Sequence, residues 1–210
     1  MIGDKKMNKQ IFLKWLKINS LCFIGAFIAA FLLVQLFPNI MLGFLGGWTT
    51  LIEMTGAKKM AELPSKFDAF IHTLSRNSVS IIIVFISALL LQAPILMVVF
   101  GSFYSLIAFL APLTIGKTFA LFDWILIATE ALFFIVTATF ASTLATEVFE
   151  VKPEKKQILE YWKKNWKKLF PEQKRSWKIV FKENMKEFTF FIIIILALLI
   201  FGACFEVWGY

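Results

Sequence analysis

Residues 78–115 read SVSIIIVFISALLLQAPILMVVFGSFYSLIAFLAPLTI, 38 consecutive positions without one Asp, Glu, Lys, Arg or His. A bilayer core is about 30 Å thick and a helix rises about 1.5 Å per residue, so one crossing takes roughly 20 apolar residues. As a single helix this stretch would extend roughly 57 Å, nearly twice the core. It therefore reads as a hairpin of two spans, 78–96 and 97–115, with Gln92-Ala93-Pro94 and Gly101-Ser102 as candidate points of reversal.

Three further stretches meet the same length requirement: 18–37, which stops at Pro38-Asn39, then 119–149 and 188–208. Composition agrees, with 59% of the 210 residues apolar or aromatic and 17% charged. A soluble protein has roughly 45–50% and about 25%. The mean hydropathy is +0.76. The chain is thus expected to be all-α, a single integral membrane domain built as a polytopic helical bundle of about five spans plus interfacial amphipathic helices. The net charge of +8 is absorbed by topology, and a nucleic-acid partner is not expected. One histidine and two cysteines leave no metal cluster or disulfide framework to expect.

Parity supports the hairpin. Residues 1–17 hold five lysines, and residues 152–187 hold 12 Lys plus Arg against five glutamates, so 17 of the 22 basic residues fall in two segments. Cationic loops stay cytoplasmic, so both segments belong on one side and an even number of crossings must separate them, which four spans satisfy and three do not. The expected location is the cell membrane, with the amino terminus cytoplasmic and the carboxyl terminus extracytoplasmic. Residues 39–76 form an outer interfacial segment. Its first part, 39–56, is apolar but broken by Gly43, Gly46, Gly47 and Glu53, and reads as interfacial or re-entrant. Its second part places Phe67, Phe70, Ile71 and Leu74 at helical spacing, as an amphipathic surface helix does.

The basic loop 152–187 alternates lysines with Ile158, Trp162, Trp166, Leu169 and Phe170, then with Trp177, Val180 and Phe181. Two amphipathic helices on the inner leaflet fit this pattern, tryptophans at the interface and lysines on anionic head groups. Positive-inside charge alone accounts for the lysines. The spacing of Trp162, Trp166, Phe170 and Trp177 marks a face on which a cytoplasmic or membrane protein partner could dock.

Asp123, Glu130 and Thr137 recur every seven residues and share one helical stripe in the fourth span. A carboxylate such as Glu130 at membrane depth is costly and by default points to function. No lysine or arginine is expected at its depth, so the plain reading is a hydrogen bond to a serine, a threonine or a backbone carbonyl. The sharper one is a proton or ion relay. No nucleophile elbow, phosphate loop or metalloprotease helix is present, so neither catalytic residues nor cofactors are expected.

Three places resemble the stage II sporulation protein M family of multi-pass membrane proteins. Arg76-Asn77-Ser78 stands where family members open the second span with asparagines, Glu130 resembles their fourth-span glutamate, and Ala203-Cys204-Phe205-Glu206-Val207 resembles their closing motif. Ile125, Leu126 and Ile127 stand where the family has Pro-His-Gly. The resemblance makes Asn77, Glu130 and Glu206 family-like positions and implies a non-enzymatic scaffold or assembly component of a cell-envelope complex. The alternative expectation is a small transporter or permease subunit in which Glu130 titrates.

Overall fold

The computed structural model describes residues 7–44, 46, 63–115, 120–165, 167, 168 and 171–208, and of 111–115 only the backbone. Every regular element among them is a helix: α1 (Lys9–Leu36), α2 (residues 38–44), α3 (Lys66–Leu89), α4 (Ala93–Ile115), α5 (Leu121–Phe149), α6 (Lys155–Asn165), α7 (Trp177–Glu183) and α8 (Met185–Trp208). Among the described residues α1, α3, α4, α5 and α8 are long and apolar enough to cross a membrane. The fold is an all-α bundle of five spanning helices.

Caps mark the starts of three spanning helices, α1, α3 and α5. The Asn8 carboxamide oxygen accepts from the backbone of Gln10 and Ile11 at 3.0 and 3.3 Å, satisfying donors that the first turn leaves free. The Ser65 hydroxyl accepts from Asp68 N at 3.1 Å. At the head of α5 the bond runs the other way, with Ala120 N donating to the Asp123 carboxylate at 2.7 Å.

The hairpin in 78–115 is present, and its turn lies at Leu90–Gln92. Leu91 takes a left-handed φ of 58°, and Gln92 N closes back onto Ser87 O at 2.8 Å. This ends the second span at Leu89, ahead of the expected 96, and starts the third at Ala93. Pro94 does not break the chain there. It sits in the first turn of α4, where its missing N–H has no intrahelical partner to lose. Gly101-Ser102 is no turn at all: Gly101 lies inside α4 where α1 crosses, and a Cβ there would overlap the Phe23 carbonyl. Small residues let helices approach this closely in lipid, where packing replaces the hydrophobic drive between helices.

Two other boundaries move. The amphipathic segment 65–76 is helical, but it continues without a break into the second span, so α3 begins at Lys66 and not at 78. Its apolar residues are divided between the surface, with Phe67 65% exposed, and the bundle, with Phe70 against Trp208 at 5.5 Å. α1 likewise starts at Lys9, ahead of the expected 18. Residues 38–44 of the outer segment are helical, whereas 45 and 47–62, most of the presumed re-entrant stretch, lie outside the described residues.

α5 is the axial helix, packed against α1, α3, α4, α7 and α8. Its inner two-thirds, from Thr129 to Phe149, is nearly all buried. Hydroxyls stitch α1 to it: Trp15 Nε1 donates to Thr146 Oγ1 at 2.7 Å, and Asn19 Nδ2 to Thr139 Oγ1 at 3.3 Å. Leu21, Ile28, Ile193 and Leu196 are about half exposed, as lipid-facing positions are.

The two basic segments meet at one end of the bundle. Lys14 lies 3.9 Å from Glu154, and Trp15, Leu91, Phe149, Ile158 and Val180 share one buried cluster. The loop is strapped down by backbone: Lys174 N and Arg175 N both donate to Val148 O, at 2.9 and 3.0 Å. That carbonyl belongs to the last turn of α5, which has no donors of its own left.

Candidate functional site: a polar cluster within the bundle

Toward the opposite end, four of the five spanning helices contribute to one polar cluster. α3 brings Arg76 and Asn77, α4 Tyr104, α5 Glu130 and α8 Glu206. Asn77 Nδ2 donates to Glu130 Oε1 at 3.2 Å, and the Tyr104 hydroxyl donates to the same carboxyl group. Asn77, Tyr104 and Glu130 are all buried. One helix position away, the Arg76 guanidinium meets both oxygens of Glu206 at 3.1 and 3.3 Å. This pair is the outer layer, with the Arg76 side chain 49% exposed and that of Glu206 13%.

The physical logic is a carboxyl group that cannot reach water and is supplied with two fixed donors instead. An unsatisfied polar group in hydrocarbon costs several kcal/mol. An interhelical hydrogen bond that removes the cost contributes about 0.6–2 kcal/mol in membranes. The arrangement ties α3, α4 and α5 around Glu130, and the nearby Arg76–Glu206 pair ties α3 to α8. Both charges of that pair lie within electrostatic reach of Glu130.

The structure brings Asn77, Glu130 and Glu206 into this one cluster. Asp123, Glu130 and Thr137 all lie on the unbroken α5, with Glu130 and Thr137 buried, and each meets different neighbours. Asp123 caps the start of α5, Glu130 faces α3 and α4, and Thr137 lines a groove between α3, α5 and α8. The expectation for the partners of Glu130 is corrected: they are an amide and a phenol, not a serine, a threonine or a carbonyl. Arg76 also stands close enough to act on Glu130, contrary to the expected absence of a cation at that depth. Tyr104 as a partner of Glu130, and Arg76 as its neighbour, escaped the sequence reading, because only the packing of α3 and α4 against α5 aligns them with Glu130.

The aromatic residues of the basic loop are turned inward where described. Trp162 Nε1 donates to Leu91 O at 2.8 Å, covering the carbonyl of the left-handed turn residue. Trp177 stands edge-on to Phe149, with ring centroids 5.8 Å apart, and lies beside Phe181 at the same distance. Both rings seal α6 and α7 onto the bundle, leaving lysines on the outside. Trp166 and Phe170 lie outside the described residues. Beneath this cap, Arg175 binds Glu183 through two 2.8 Å contacts and reaches Glu147 at 3.4 Å. The Glu183 hydrogen bond holds the guanidinium above its usual pKa. Burial pushes the Tyr161 phenol up to about 12, and its hydroxyl has no hydrogen-bond partner among the described residues.

In comparisons with known proteins, the chain matches no family model, no curated protein and no solved structure.

Proposed function

We propose that the chain is a non-enzymatic, multi-pass protein of the cell membrane that works as a scaffold or assembly component of an envelope complex, similar in role to the stage II sporulation protein M family. Its amino terminus and the α6–α7 cap face the cytoplasm in this reading, against anionic inner-leaflet lipids, and its carboxyl terminus faces outward. The observation that carries the proposal is the engagement of Glu130 by Asn77 and Tyr104. A carboxyl group so held serves as a joint between helices. Convergence of Asn77, Glu130 and Glu206 supports the likeness, since these positions lie far apart in sequence. Because Trp162 and Trp177 are spent on holding the cap, the docking surface passes to the exposed lysines of α6, Lys155, Lys156 and Lys163.

The test is co-purification from native nanodiscs, with mass spectrometry of what accompanies the tagged chain. A specific protein that is lost on Lys155→Glu with Lys163→Glu supports the scaffold. Recovery of the chain alone from wild type counts against it. A second reading, a transporter, draws on the half-exposed Arg76 beside Glu130 as a link to water. Proton-dependent uptake in liposomes that Glu130→Gln abolishes would establish that reading in place of the first.

A further inference from the structure

A groove of about 300 Å³ runs along the outside of the bundle between α3, α5 and α8. Its wall includes Phe85, Phe140, Phe188 and Phe191 nearer the basic end and Ser78 and Leu199 nearer the polar cluster. From Phe188 to Leu199 it follows eleven steps of α8, roughly 16 Å, the depth of one leaflet of a bilayer core about 30 Å thick. Its rims are the lipid-facing Ile82, Ile192 and Leu196, 56%, 38% and 50% exposed. Any occupant therefore enters sideways from the bilayer. Thr137 sits in the wall, fully buried, with a hydroxyl that has no hydrogen-bond partner among the described residues.

The groove has a charged end. α7 abuts it through Phe181, whose ring lies 5.3 Å from that of Phe188, and α7 carries the exposed Lys178 and Lys182. Of the acids nearby, Glu183 is committed to Arg175, and Glu187 lies in the first turn of α8. We propose that this groove seats one hydrocarbon chain of an anionic membrane lipid, with its head group on Lys178 and Lys182. The chain length matches one leaflet, the opening faces lipid, and the cationic helix lies at the end where head groups are. The assignment is independent of the scaffold reading, because it needs only the five-span fold and not a protein partner.

The probe is an equimolar mixture of phosphatidylglycerol and phosphatidylcholine added to the delipidated full chain, with bound lipid counted by native mass spectrometry. Wild type is expected to retain phosphatidylglycerol over phosphatidylcholine by about tenfold, since each lysine at a membrane surface favours an anionic lipid. Leu196→Trp fills the groove from its rim and removes most of the retained lipid. Ile82→Trp does the same from the opposite wall, and serves if the first variant fails to fold. Lys178→Gln with Lys182→Gln keeps a bound lipid but abolishes the preference. Equal retention of the two lipids by wild type, or retention unchanged in a folded tryptophan variant, overturns the proposal.

Discussion

Asn77 on α3 and Glu130 on α5 are 53 positions apart in the chain and 3.2 Å apart in space. Their bond crosses the interface between the helix that opens the apolar hairpin and the helix at the axis of the bundle. Because Tyr104 on α4 shares the same carboxyl group, removing Glu130 strands two donors at once.

Glu130→Gln is therefore expected to be nearly neutral. The amide oxygen accepts from Asn77, and its NH₂ donates to the Tyr104 oxygen, which can accept as well as donate. Glu130→Leu leaves Asn77 and Tyr104 without that partner and should cost about 1–3 kcal/mol. Thermal unfolding in detergent, followed by size-exclusion recovery, reads both. A large loss in the glutamine variant would mean that the charge, and not the hydrogen bonding, is what matters.

Gly101→Leu is expected to push α4 off α1, because even a Cβ at this position meets the Phe23 carbonyl. Overpacking of this kind typically costs about 1–3 kcal/mol. Gly25→Leu is the control, since nothing lies within 4 Å of the position its Cβ would take. A melting-temperature drop for Gly101→Leu with none for Gly25→Leu is the expected pair of results.

Much of this architecture can be read in the sequence, and the failures have physical causes. The uncharged run 78–115 is too long for one crossing, and charge parity demands the hairpin. The exact turn is hidden because Pro94 and Gly101, the residues that break helices in water, serve here as a first-turn residue and a packing notch. Leu91 carries no signal for its left-handed φ. The amphipathic pattern of 65–76 marks a helix correctly, but it cannot reveal that the helix continues inward. At the site, the cost of burying a carboxylate singles out Glu130. Its partners depend on how α3 and α4 rotate against α5, which no spacing within one helix contains. Heptad spacing aligns Asp123, Glu130 and Thr137 along α5, but it does not say that the first caps the helix, the second bonds α3 and the third lines a groove.

Trp162→Phe keeps the ring and deletes the donor to Leu91 O. The expected cost is about 1 kcal/mol, the usual net value of one hydrogen bond. The local effect should be larger, with α6 protected less against amide hydrogen exchange while α8 is unchanged. Equal loss of protection in both helices would contradict the assignment of Trp162 to the hairpin turn.

Tyr161 gives a pH signature on the same cap. Its folded value of about 12 lies above the free phenol near 10, so the folded form holds the proton more tightly. Docking of α6 is then unaffected below about pH 10 and weakens between 10 and 12, as the undocked phenol ionises first. Absorbance titration near 295 nm, with Tyr161→Phe as reference, should show one phenol ionising late. If the difference spectrum instead titrates near 10, the ring is solvated and the cap is loose.

The central claim is that Glu130 is a joint between helices, and a double-mutant cycle tests it most directly. Asn77→Leu, Glu130→Leu and the double variant are unfolded from nanodiscs alongside wild type. A coupling of about 0.6–2 kcal/mol is predicted, because two side chains in contact do not lose stability independently. A coupling indistinguishable from zero, with all four proteins folded, would contradict the account and return Glu130 to the role of a site that serves something other than the fold.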